Sequence, residues 1–138
     1  MRFLIMNKHE AADFYAFSPY AVIGVVSHYD THPTLQEGFV DALRLKFYDT
    51  DFEMGSYPAM TSTDAVEILE FVEKTKNKVD YFVIHCNAGI SRSSGIAAAL
   101  SLIYNKDDKW VFSNPRYVPN MLVYRKILSA AAEMGLLT

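Results

Sequence analysis

Hydrophobic positions fall into two rhythms along this chain. Four short stretches are apolar in runs or in alternation: Phe3–Met6, Tyr20–Ser27 (YAVIGVVS), residues 42–48 (ALRLKFY) and Tyr81–His85 (YFVIH). The second is nearly continuous and rich in β-branched residues, the pattern of a strand buried on both faces. The third alternates apolar and polar side chains, as a strand with two unlike faces does. Between the third and fourth, helical spacing takes over. Thr61-Ser62-Thr63-Asp64 is a helix start signal, and Val66, Leu69 and Val72, with Phe71 beside them, then fall on one side. Lys74, Lys76 and Lys78 stand near the end of this helix, where cations complement its dipole. Ser93–Tyr104 reads as a helix buried nearly all round, residues 105–116 as a polar loop, and Asn120 as the cap of a last helix from Met121 to about Met134, stopped by Gly135. Strands alternating with helices predict an α/β protein, a mostly parallel sheet of about four to five strands flanked by helices.

Composition narrows the picture. The 138 residues suit one domain spanning the chain, and 51% hydrophobic positions exclude a disordered one. Thirteen basic against sixteen acidic side chains leave a net charge of −3, without the basic excess of a general nucleic-acid or anionic-membrane binder. Any anion must therefore be captured locally. Apolar runs fall short of the ~18 residues of a membrane span, and the stretch before Asn7 is too short for a signal peptide. The single cysteine excludes an internal disulfide and points to a reducing, cytoplasmic setting.

That cysteine lies in the most informative segment, Val83-Ile84-His85-Cys86-Asn87-Ala88-Gly89-Ile90-Ser91-Arg92-Ser93-Ser94. An apolar strand ends at Cys86 and a helix begins near Arg92 or Ser93. The five residues between them, Gly89 and several small side chains included, must curl tightly, turning backbone N–H groups inward into an anion-binding concavity. Gly89 permits the curl. Arg92 closes it with a planar fork matched to two phosphate oxygens. The same amides and helix dipole favour a thiolate at Cys86. The segment is built for a nucleophilic sulfur facing a bound phosphate.

This stretch, V-x-H-C-x-A-G-x-S-R-S, resembles the signature of the cysteine-dependent protein tyrosine phosphatase superfamily, in particular its dual-specificity branch. Pro119-Asn120 followed by Val123-Tyr124 is similar to the segment that opens the last helix in that branch. The first 40 residues carry no part of the resemblance. It implies that Cys86 attacks phosphorus, that Arg92 and the amides of Asn87, Ala88, Gly89, Ile90, Ser91 and Arg92 hold the phosphate oxygens, and that Ser93 helps the thiolate leave. It further implies that His85 supports the loop and that no metal or other cofactor takes part. A general acid is also implied, in the loop after the preceding strand. Asp49 directly follows that strand and is the first choice; Asp51 and Glu53 are the alternatives.

Set against these are blander roles. A lone cysteine is most often a small buried hydrophobe, and an arginine a surface ion-pair partner. Asp49 and Asp51 can be turn residues. His28 and His32 have the i, i+4 spacing of helical metal ligands, but Pro33 follows at once and no third ligand is apparent, so they read as loop histidines. His9 reads as a solvated helix-start residue. Of Tyr48, Phe52, Tyr57, Trp110 and Tyr117, some can wall the site. The expected activity is phosphomonoester hydrolysis on phosphotyrosine, and on phosphoserine or phosphothreonine, of proteins. A catalytically silent phosphate-binding module is the rival. RNA 5′-phosphates and phosphoinositides are disfavoured because no Lys or second Arg lies between Cys86 and Arg92.

Overall fold

A computed structural model describes residues 1–52 and 58–137. Its elements are β1 (Arg2–Asn7), α1 (Lys8–Asp13), β2 (Tyr20–Val26), β3 (Ala42–Lys46), α2 (Ser62–Thr75), β4 (Tyr81–Cys86), α3 (Arg92–Asn105), α4 (Lys109–Phe112) and α5 (Met121–Glu133). The four strands form one sheet in the order β1-β4-β2-β3, every pair parallel. The expected α/β class and parallel sheet are therefore what the chain adopts. The central pair, β2 and β4, is buried along its whole length, as their near-continuous apolar runs require.

Alternation along the strands sorts the core into two layers. Ala21, Ile23 and Val25 with Phe82 and Ile84 face the larger cluster, which α2, α3 and α5 complete through Ile68, Leu69, Ile96, Leu100 and Ile127. Tyr20, Val22, Tyr81 and Val83 face the other side, covered by Phe14, Leu35 and Phe39 from the first forty residues. α3 is wrapped in protein, with Ser93 through Ser101 all buried, as its unbroken apolar pattern foretells. Thr61 and Asp64 cap α2 reciprocally, and Asn120 accepts from the Val123 amide at 3.0 Å to start α5.

His9 is exposed in the first turn of α1, as expected, and Asn7 and Glu10 start that helix directly off β1 with a reciprocal capping box. Two local features depart from the expectations. β3 ends at Lys46 rather than residue 48, because the Phe47 carbonyl turns away to accept from Arg92 at 2.8 Å. The polar stretch 105–116 contains the one-turn helix α4. Among the described residues no helix is long and apolar enough to cross a membrane.

Candidate active site

The loop 87–91 leaves the sheet at its centre, where β4 lies between β1 and β2. Its carbonyls are tied outward. The Asn87 carbonyl accepts from the Lys8 amide (3.4 Å), that of Ile90 from Val118 (3.1 Å) and that of Ser91 from Asn120 (3.0 Å). In a trans peptide the next N–H points opposite its carbonyl. The amides of Ala88, Ser91 and Arg92 are thereby turned to the inside, and the Gly89 amide donates to Cys86 Sγ at 3.3 Å. Gly89 adopts φ +72°, and a Cβ there would meet the Asn7 backbone nitrogen at 2.7 Å. Only glycine lets the loop pass so close to the end of β1.

Cys86 is buried, its Sγ 3.1 Å from the Ser93 hydroxyl on the first turn of α3. Burial alone pushes a thiol's pKa up. Here the Ser93 hydroxyl and amide, the Gly89 amide and the positive charge of Arg92 outweigh it, and the thiol sits below its ordinary value.

Arg92 is also buried. Its Nη1 donates to the Phe47 carbonyl (2.8 Å) and to Ser27 Oγ (3.1 Å), and its Nη2 to Asn87 Oδ1 (3.2 Å). These three bonds leave the Nε–H, which has no partner among the described residues, and one hydrogen on Nη2. Nε and Nη2 share one edge of the guanidinium plane, the edge that grips two oxygens of a phosphate side by side. No carboxylate pairs with Arg92 among the described residues, so its buried charge is balanced only by neutral acceptors. Such a cation calls for an anion.

His85 lies beneath the loop, with Gly24 of β2 opposite it in register. A Cβ on Gly24 would collide with the imidazole, so the glycine makes room for the ring. Burial pushes the His85 pKa down to about 4, His32 and Arg44 adding to the effect and the Cys86 backbone opposing it. The ring is neutral at pH 7, consistent with a supporting place rather than a charged one.

Asp49 Oδ1 accepts from the Ser91 hydroxyl at 2.8 Å and from Asn120 Nδ2 at 2.9 Å, which seats the carboxylate against the loop. Asp51 shares with Asp49 a cleft of about 520 Å³ that Phe52, Ser91, Val118 and Met121 also line. Glu53 and Tyr57 lie outside the described residues. Trp110 is bound to Ser101, three turns along α3, and has no place at the loop. Among the described residues no three His, Cys, Asp or Glu side chains are grouped to hold a metal ion.

Three participants carried no signal of their own in the sequence, and a fourth, Asn120, was marked only as a helix cap. Ser27 and the Phe47 carbonyl grip Arg92, Asp30 accepts from Asn87 Nδ2 at 2.6 Å, and Asn120 binds Asp49 as well as capping α5.

No protein-family model matches the chain, and no curated protein matches it in sequence. Solved structures do match in shape. The human tyrosine phosphatase-like serine/threonine/tyrosine-interacting protein superposes with a TM-score of 0.70 at 16% identity, over 96% of this chain and 92% of that one. Human DUSP28 gives 0.66 at 14% identity, over 96% and 93%. PTPMT1, solved in complex with PI(5)P, gives 0.56 at 18% identity, over 83% and 78%. At such identities the likeness is one of architecture, and it agrees with what the segment around Cys86 led us to expect: this chain has the fold of the dual-specificity phosphatases.

Proposed function

We propose that this protein hydrolyses phosphomonoesters through a cysteinyl-phosphate intermediate on Cys86. The observation that carries the reading is the pairing of a sulfur held by the Ser93 hydroxyl and Gly89 amide with a buried Arg92 whose free donors form a side-on fork. In the first step the Cys86 thiolate attacks phosphorus. The P–O bond to the leaving group breaks, and Asp49 gives the departing oxygen its proton. Charge on the three equatorial oxygens is met by Arg92 and the inward amides, already in place before reaction. In the second step water attacks phosphorus, Asp49 takes its proton, and the S–P bond breaks. Ser93 donates to the departing thiolate and stabilises it. Asn87 through Arg92 bind the phosphate, and His85 supports the loop.

The proposed substrates are phosphorylated proteins, phosphotyrosine first and phosphoserine or phosphothreonine with it. The loop offers no cation besides Arg92, and the adjoining cleft contributes the carboxylates of Asp49 and Asp51. Both features disfavour a second phosphate, as in a polyphosphorylated lipid or a nucleic acid. The test is steady phosphate release from p-nitrophenyl phosphate, abolished by Cys86→Ser. Wild-type protein that binds inorganic phosphate but releases none from the ester would overturn the hydrolase reading in favour of a silent binding module.

A further inference from the structure

The chain turns sharply after β2, the Asp30 amide donating to the Ser27 carbonyl at 2.9 Å. One end of this turn reaches the guanidinium directly and the other through Asn87. Ser27 Oγ accepts directly from Arg92 Nη1, while Asp30 Oδ2 accepts from Asn87 Nδ2 at 2.6 Å and Asn87 Oδ1 in turn accepts from Arg92 Nη2.

An asparagine amide has a donor end and an acceptor end and is free to turn over. Here it lies between a carboxylate, which only accepts, and a guanidinium, which only donates. The Asp30 carboxylate thus admits a single orientation of Asn87, with the carbonyl end on Arg92. Without it, the amide can rotate and set an N–H against the guanidinium.

Resting on the reading of this loop as an oxyanion site, we propose that Asp30 is a positioning residue for Arg92. It acts through Asn87, and with Ser27 it makes the turn at residues 27–30 the clamp that aims the Nε/Nη2 edge at the bound oxyanion. Asp30 touches neither sulfur nor phosphate. Its contribution is to fix the direction of the fork before the ligand arrives, which lowers the cost of ordering it on binding.

The experiment measures tungstate affinity by calorimetry, and KM and kcat for p-nitrophenyl phosphate, in wild type, Asp30→Ala, Asp30→Asn, Asn87→Ala and the Asp30→Ala/Asn87→Ala double variant. Asp30→Ala is expected to weaken tungstate binding and raise KM by about tenfold, the lower end of the range over which partners that orient a ligating side chain act. Asp30→Asn, which keeps an acceptor, recovers part of the loss. In the Asn87→Ala background Asp30→Ala has no further effect, since the path between Asp30 and Arg92 is already cut. The Asn87 side-chain amide resonance moves in Asp30→Ala, reporting the lost 2.6 Å bond. Tungstate affinity within twofold of wild type in Asp30→Ala overturns the proposal, as do independent, multiplying losses in the double variant or a fall in melting temperature alone. Absence of turnover in the wild type, with the tungstate pattern intact, overturns the hydrolase reading and leaves this one standing. Failure of the wild type to bind tungstate overturns both.

Discussion

Taking the protein from pH 7 to pH 4 forces a proton onto His85, a ring sealed between Gly24 and the loop that follows it. Its pKa is about 4 in the folded chain against an ordinary value of 6.5. The unfolded chain therefore binds this proton first, and folding loses stability as pH falls through the window between the two values. Each pH unit in that window is worth about 1.4 kcal/mol, so the full interval of 6.5 to 4 amounts to about 3 kcal/mol. Above pH 6.5 the contribution is complete; below pH 4 both states are protonated and the loss levels off. Urea unfolding at half-unit pH steps reads this as a midpoint drop of roughly 1–3 M, for m-values of about 1–3 kcal/mol/M. Asp41, held below its ordinary 3.8 by its bond to Lys74, gives up its contribution only below this window, while other groups titrate whether or not His85 is present. The comparison is therefore between wild type and His85→Asn. The variant is less stable at pH 7, and the gap is expected to close by about 3 kcal/mol on the way to pH 4. A gap that stays constant across the window would refute a depressed, burial-driven pKa at His85.

Three further outcomes are expected. Ser93→Ala removes the hydroxyl 3.1 Å from Sγ, so the acid limb of the rate of Cys86 alkylation by iodoacetate moves to higher pH and kcat falls about tenfold, with a burst of product before slow turnover. Asp49→Asn lowers kcat on phenyl phosphate by about a hundredfold and far less on p-nitrophenyl phosphate, while the inhibition constant of inorganic phosphate is unchanged; equal losses on both esters would move the acid role to Asp51 or Glu53. Gly89→Ala puts a Cβ 2.7 Å from the Asn7 nitrogen at a φ of +72°, and calorimetric melting should show a cost of about 2–4 kcal/mol.

How much of this was legible in the chain depends on distance along it. Cys86, the loop and Arg92 are contiguous, and a strand running into a helix through only five residues has few ways to fold. The caps at Thr61 and Asn120 are equally local, and both form as read. The capping box of α1 was legible too, as Asn7 with Glu10 three residues on, but six residues offer no periodicity to draw notice to it. What the pattern does not carry are contacts between remote segments. Asp30 reaches Asn87 across 57 positions and Asn120 reaches Asp49 across 71, and nothing in the neighbourhood of these residues marks the pairing. The end of β3 follows the same rule. Phe47 continues the alternating pattern, but its carbonyl bonds Arg92, 45 positions away.

The strand order has a consequence for how such a protein comes into being. β4 slots between β1 and β2, so β1 leaves the ribosome well before the strand it pairs with. Gly89 then rests on the Asn7 backbone, and Gly95 of α3 packs so close to residue 120 that a Cβ on it would meet the Asn120 carbonyl oxygen at 2.8 Å, a contact closed only when residue 120 has emerged. A nascent chain therefore carries a cysteine but no closed receptacle around it until the start of α5 has emerged. The receptacle closes in one late step with α5 rather than growing by degrees.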